Sequence, residues 1–98
     1  MIEIITPEQA RKLTTTPQAD LTILDVRTPE EFAQGHLQKA HNLDFYEEDF
    51  PDKIEQLAPS KTYVVYCHTG GRAFKTAELM DQLGFRKVLV VKGALFED

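Results

Sequence analysis

Tryptophan is absent from this chain, cysteine occurs once, and no apolar run comes near the roughly 20 residues of a membrane-spanning helix. A lone cysteine excludes an internal disulfide, and it excludes a thiolate quartet around zinc. It also excludes any mechanism in which a second cysteine of the same chain resolves the first. Basic charge is in deficit, with 11 Lys and Arg against 16 Asp and Glu and a formal net charge of −5. That balance argues against nucleic acid, whose phosphates call for a basic face. The start, "MIEIITPEQA", lacks the basic residues and long apolar stretch of a secretory leader. A cytoplasmic setting without membrane contact is expected.

What is present suits one domain spanning residues 1–98. At this length folding buries roughly two-thirds of the unfolded surface, enough for a real core. The composition, 42% hydrophobic and 28% charged, is that of an ordinary globular protein. Five acidic residues gather in "DFYEEDFPD" (Asp44, Glu47, Glu48, Asp49 and Asp52). Such a run reads first as a solvated face and second as a landing place for a basic partner.

Short apolar runs alternate with amphipathic stretches. Strands are expected at "EII" (3–5), "LTILDV" (21–26), "AHNLDF" (40–45), "TYVVYC" (62–67) and "KVLVV" (87–91). "TPEQ" and "TPEE" each place a threonine before a proline, with Gln9 or Glu31 three residues past the threonine. Both are capping boxes that open helices. In "RAFKTAELMDQLG", Ala73, Ala77, Met80 and Leu83 share one helical face, and Gly84 supplies the stop. The fold class is therefore α/β, with a mainly parallel sheet of about five strands covered by helices on both faces. In such sheets ligands bind beyond the carboxyl ends of the strands. Cys67 falls there.

The stretch "CHTGGR" joins an apolar strand to the clearest helix. Gly70 and Gly71 allow backbone angles closed to other residues, so the loop can curl with its N–H groups facing inward. The helix adds the positive end of its dipole, and Arg72 and Lys75 add charge. Such a loop holds an anion at Cys67: the thiolate, a bound oxyanion or a persulfide. A lone cysteine is otherwise most often a small buried hydrophobe. Two glycines and an arginine at a strand-to-helix turn do nothing for a merely packed thiol, so Cys67 reads as a nucleophile.

Cys67-x-x-Gly70-x-Arg72 after an apolar strand resembles the active-site loop of the rhodanese family of sulfurtransferases. "LDVRTPEEFAQGHLQKAHNL" is similar to that family's first signature, through Asp25, Val26, Arg27, Glu30, Glu31, Phe32, Gly35, His36, Ala40 and Asn42. "LGFRKVLVVKG" is similar to its closing strand. The likeness runs from about residue 21 to 93. Departures are Ala94 in place of a second glycine, the missing tryptophan, and Lys39 where glycine is common.

The resemblance implies a rhodanese-like three-layer α/β/α fold and transfer of a sulfane sulfur through a Cys67 persulfide. Thiosulfate or another persulfide would be the donor, and cyanide or a thiol the acceptor. An acceptor protein is a further candidate; no cofactor and no metal are expected. Four residues separate Cys67 from Arg72, as in sulfur-handling members, whereas related phosphatases and arsenate reductases have one more. His68, Thr69, Gly70, Gly71 and Arg72 would bind substrate around Cys67. Arg72 either orients an anionic donor or folds onto Glu31 to brace the loop. Thr69 either donates its hydroxyl or only turns the chain. His68 reads as solvent-facing before it reads as an acid. Asp25 and Arg27 are supporting residues, better taken as braces than as reactants. His36 and His41 make no recognised ligand pair.

Overall fold

Both capping boxes close. In the computed structural model, which describes residues 1–16, 18 and 20–96, Thr6 Oγ1 accepts the Gln9 N–H at 3.1 Å while Gln9 Oε1 accepts the Thr6 N–H at 2.9 Å. Thr28 and Glu31 repeat the exchange at 3.2 and 3.1 Å. Each cap stabilises its helix by about 1 kcal/mol. They open α1 (Pro7–Thr15) and α2 (Pro29–Ala33).

The strands are β1 (Ile2–Ile5), β2 (Leu21–Asp25), β3 (His41–Asn42), β4 (Thr62–Tyr66) and β5 (Lys87–Val91). They form one sheet in the order β1-β5-β4-β2-β3, with every pairing parallel. Two further helices, α3 (Phe50–Glu55) and α4 (Gly71–Gln82), complete the elements. Val64 and Val65 are neighbours on β4, both at 0% exposure, yet they belong to the cores of opposite faces. One core joins Leu24, Val65 and Val90 to Ile54 of α3 and to Ala73, Ala77 and Met80 of α4. The other joins Ile23, Val64 and Leu89 to Ala10 of α1 and to Leu37 and Leu95. Burial on both faces is why these strands read as unbroken apolar runs. Each such side chain contributes roughly 1.5–3 kcal/mol.

Two expectations need correction. The strand expected over 40–45 shrinks to His41–Asn42. Beyond Asn42 only single bonds follow β2, from Leu43 N–H to Asp25 O at 2.9 Å and from Phe45 N–H to Val26 O at 3.4 Å, before Asp44 starts a turn by accepting the Tyr46 N–H. The acidic run 44–52 is not wholly a solvated face either, because its end enters α3. Phe50 and Ile54, four apart, point into the core, with Leu57 packed against it, a helical spacing hidden among charges. Glu97 and Asp98, which close the "KGALFED" stretch, lie outside the described residues. Among the described residues no helix is long and apolar enough to cross a membrane.

The chain leaves β2 toward β3 on one side and leaves β4 toward β5 on the other. Between these two neighbours the topology reverses, and a crevice opens beyond their carboxyl ends. Cys67 follows β4 there, and Val26 and Arg27 follow β2.

Candidate active site

Cys67 directly follows β4 with its side chain turned into the loop, 2% exposed. Gly70 N–H points at its Sγ from 3.1 Å and Ala73 N–H from 3.4 Å. Gly70 reaches this position because it adopts φ +127°, in the region that side chains avoid. Space is not the restriction, since a Cβ there would meet Val91 O at 3.5 Å, an ordinary contact. Thr69 and Gly70 are pinned by their carbonyls, which accept Gly93 N–H at 3.0 Å and Phe74 N–H at 2.8 Å. Gly93 follows β5 and has φ +114°, so two neighbouring strands hold the loop. The arrangement offers fixed donors to negative charge on sulfur without needing a cationic side chain.

Gly71 differs from expectation. It has no positive φ and opens α4 as a helical residue, so only Gly70 uses the freedom that the pair of glycines suggested. Thr69 is exposed, with its carbonyl bonded to Gly93, and His68 is half-buried.

Arg72 takes the bracing geometry. Its two terminal nitrogens donate to Glu31 Oε1 at 2.9 Å and Oε2 at 3.1 Å, a bidentate pair. This bond holds the Glu31 carboxyl down at about 2 from an ordinary 4.5; burial opposes the shift and Thr28 assists it. The same bond raises the Arg72 guanidinium further, and Cys67 is among the other groups acting on it. The ring of Tyr46 lies on Arg72, 5.6 Å from its central carbon. Glu31, the last member of the α2 cap, thus ties α2 to α4 across the crevice.

Asp25 and Arg27 form a second brace, buried at 0% and 5% exposure. Arg27 Nη2 donates to Asp25 Oδ2 at 2.7 Å and to Gly35 O at 2.6 Å. Its guanidinium faces the rings of Tyr66 (5.6 Å) and Phe96 (4.7 Å), whose centroids are themselves 6.1 Å apart. Asn42 Nδ2 donates to the carbonyls of Asp25 and Arg27 at 3.1 and 2.9 Å. The Tyr66 hydroxyl accepts Leu37 N–H at 3.0 Å, and burial pushes its phenol well above the ordinary range. These contacts fix the strand ends on either side of Cys67. None of them reaches Sγ. His36 stacks on Phe32 with ring centroids 3.7 Å apart. Among the described residues no group of three or more His, Cys, Asp and Glu could hold a metal ion.

Tyr46, Gly93 and Phe96 are the site's unforeseen members. No spacing in the sequence sets 46 beside 72, or 93 beside 69; those neighbours meet only through the sheet order.

A family model described as a rhodanese-like domain matches residues 6–97. A protein of Allochromatium vinosum called sulfurtransferase is 29% identical over 76 residues, 78% of this chain and 69% of that one. Thiosulfate sulfurtransferase PspE of Escherichia coli is 33% identical over 67 residues, covering 66% and 62%. Among solved structures, a rhodanese-like domain protein from Staphylococcus aureus superposes with a TM-score of 0.79 at 26% identity, covering 95% of this chain and 87% of the other.

Proposed function

Because the chain belongs to the rhodanese-like domain family, we propose that it moves a sulfane sulfur from an anionic or persulfidic donor to a thiophilic acceptor, with Cys67 as covalent carrier. The observation that carries this reading is the convergence of the Gly70 and Ala73 N–H groups on the only cysteine sulfur, at the topological switch of the sheet.

With thiosulfate as donor, the Cys67 thiolate attacks the outer sulfur. A new S–S bond forms on Sγ, the S–S bond of thiosulfate breaks, and sulfite leaves with the electron pair. With cyanide as acceptor, carbon attacks the outer sulfur of the persulfide, thiocyanate leaves, and the pair returns to Sγ. Charge balances in each half, and no external oxidant or reductant takes part. The donors around Sγ act in both states, since they stabilise the thiolate before loading and again as it reforms. Arg72 serves by holding the first turn of α4 through Glu31, and Asp25 and Arg27 serve by holding the strand ends. A free thiol with this task suits a reducing compartment such as the cytoplasm.

Intact-mass measurement of the reduced protein after thiosulfate, and again after cyanide, tests the proposal. A gain of one sulfur atom on Cys67, removed by cyanide, is expected, and Cys67→Ser should show none while remaining folded. Failure to gain sulfur with Cys67 shown to be free, or thiosulfate consumption by Cys67→Ser, would overturn it. Turnover of a phosphate ester in place of sulfur loading would move the assignment to the phosphatase relatives.

A further inference from the structure

Cys67 is almost enclosed, so an acceptor must be aimed at it through a narrow opening. The cradle itself has little with which to select that acceptor. Its arginine is committed with two nitrogens to Glu31, and its donors to Sγ are backbone groups. Selection then falls to the rim.

The rim holds one unusual residue. Tyr46 is 68% exposed, the one aromatic among the large exposed apolar side chains of the described residues. It does not hang loosely. The preceding Phe45 inserts toward the core, 5.3 Å from the ring of Phe50, and meets Tyr46 edge-on at 5.5 Å. The Tyr46 N–H is held by Asp44 Oδ1 at 3.0 Å. The ring rests against Arg72 and so beside the cysteine loop. An anchored, exposed aromatic at the mouth of a site presents contact area at little conformational cost, and tyrosine is a frequent anchor of interfaces.

The charged neighbours of Tyr46 along the chain, Asp44, Glu47, Glu48 and Asp49, are all acidic. Asp49 is partnered by Lys53 at 3.7 Å. Among the described residues no cation is paired with Asp44, Glu47 or Glu48. An anionic acceptor meets repulsion here, whereas a lysine or arginine meets a π face and carboxylates together.

We infer that Tyr46 is the specificity-determining residue for the sulfur acceptor, which is a protein or peptide thiol carrying lysine or arginine beside its cysteine. This rests on the persulfide reading above and names the acceptor class for it. In the transfer step the acceptor thiolate attacks the outer sulfur of the Cys67 persulfide, which has taken a proton from water. An S–S bond forms on the acceptor, the bond to Sγ breaks, and Cys67 leaves as thiolate. The acceptor keeps the sulfur and its proton as a new persulfide.

The test starts with persulfide-loaded protein, checked by mass. Two single-cysteine peptides of equal length are compared, one with Arg and Lys flanking the thiol and one with Asp and Glu, with rates expressed per thiolate. The expected result is a preference for the basic peptide of roughly tenfold at low salt, shrinking at high salt. Tyr46→Ala should cut that preference roughly two- to five-fold, Tyr46→Phe should keep it, and Glu47→Lys with Glu48→Lys should remove it. A merely structural Tyr46 would slow both peptides alike and leave their ratio unchanged, which overturns the inference, as does a loaded protein without preference. A protein that takes no sulfur at all fails the persulfide reading, and the acceptor class falls with it.

Discussion

Alanine in place of Gly70 puts a β-carbon on a backbone held at φ +127°. The surroundings add little to the penalty, because the nearest atoms to that carbon, Val91 O and Lys92 Cα, lie at 3.5 and 3.7 Å. The loss is therefore conformational, roughly 1–3 kcal/mol for a side chain forced into a sparsely populated region. In a domain of this size each kcal/mol shifts the melting temperature by about 4–8 °C. Gly71, one residue on, supplies the contrast. It is helical, and nothing lies within 4 Å of the carbon that alanine would add. Gly71→Ala should leave stability unchanged or raise it by up to about 1 kcal/mol, by restricting the unfolded chain and favouring the helix. Chemical denaturation of the two variants beside the parent measures both effects. Sulfur loading gives a second readout, since the Gly70 N–H is the closer donor to Sγ. Misaligning one hydrogen bond to a charged sulfur, worth about 1.5–3 kcal/mol, should slow loading roughly ten- to a hundred-fold. Equal losses of stability at the two glycines, or a Gly70→Ala protein as stable as the parent, would refute the reasoning.

Three further outcomes follow from the braces and turns. Glu31 titrates at about 2 when folded against an ordinary 4.5, mainly through its bond to Arg72; a depressed carboxyl contributes stability above its unfolded value and loses it as pH falls from about 4.5 toward 2. With Glu31 one-third exposed, solvent screening reduces this to about 1–2 kcal/mol, of which a little over half is lost between pH 6 and pH 3, so the stability difference between those two pH values, measured by denaturation, should shrink by about 0.5–1 kcal/mol in Glu31→Gln. Lys39 sits at φ +65° in the turn closed by Ala40 N–H to Leu37 O, so Lys39→Gly should stabilise by about 0.5–1 kcal/mol in the same assay, and a loss would show that its side chain matters more than its strain. Arg27→Met would leave Asp25 charged, buried and unpaired, a loss of about 3–5 kcal/mol, and a thermal midpoint within a few degrees of the parent would contradict the bracing role.

Much of the scaffold was legible because its signals are local. Thr6 with Gln9, and Thr28 with Glu31, announce helix starts at fixed spacing, and both boxes form. The apolar runs of β4 and β5 carry burial on two faces, so the parallel sheet could be expected before any strand order was known. A departure from the family pattern gained its meaning only in the structure, where Lys39 takes the positive φ for which glycine is better suited. The misreadings came from local signals that compete. Acidic neighbours hid the Phe50–Ile54 spacing of α3, and the residues after Asn42 hold apolar side chains without a strand's pairing. Two adjacent glycines looked equivalent, although only one must turn the chain.

Sequence alone determined that one thiol would stand at a strand-to-helix turn, with glycine and arginine at fixed offsets, because covalent spacing along a short loop leaves few geometries. It also singled out Glu31 as a partner for Arg72, but left open whether that pairing or donor binding would prevail. Tertiary structure decided for the pair, by bringing α2 and α4 to either side of the crevice between β2 and β4. It likewise decided that Gly93 would pin Thr69, that Phe96 would close over Arg27, and that Tyr46 would stand exposed on Arg72. Those contacts join residues tens of positions apart, and no local propensity encodes them. They follow from the order in which the strands pack, which is set by the burial of both faces of the sheet at once.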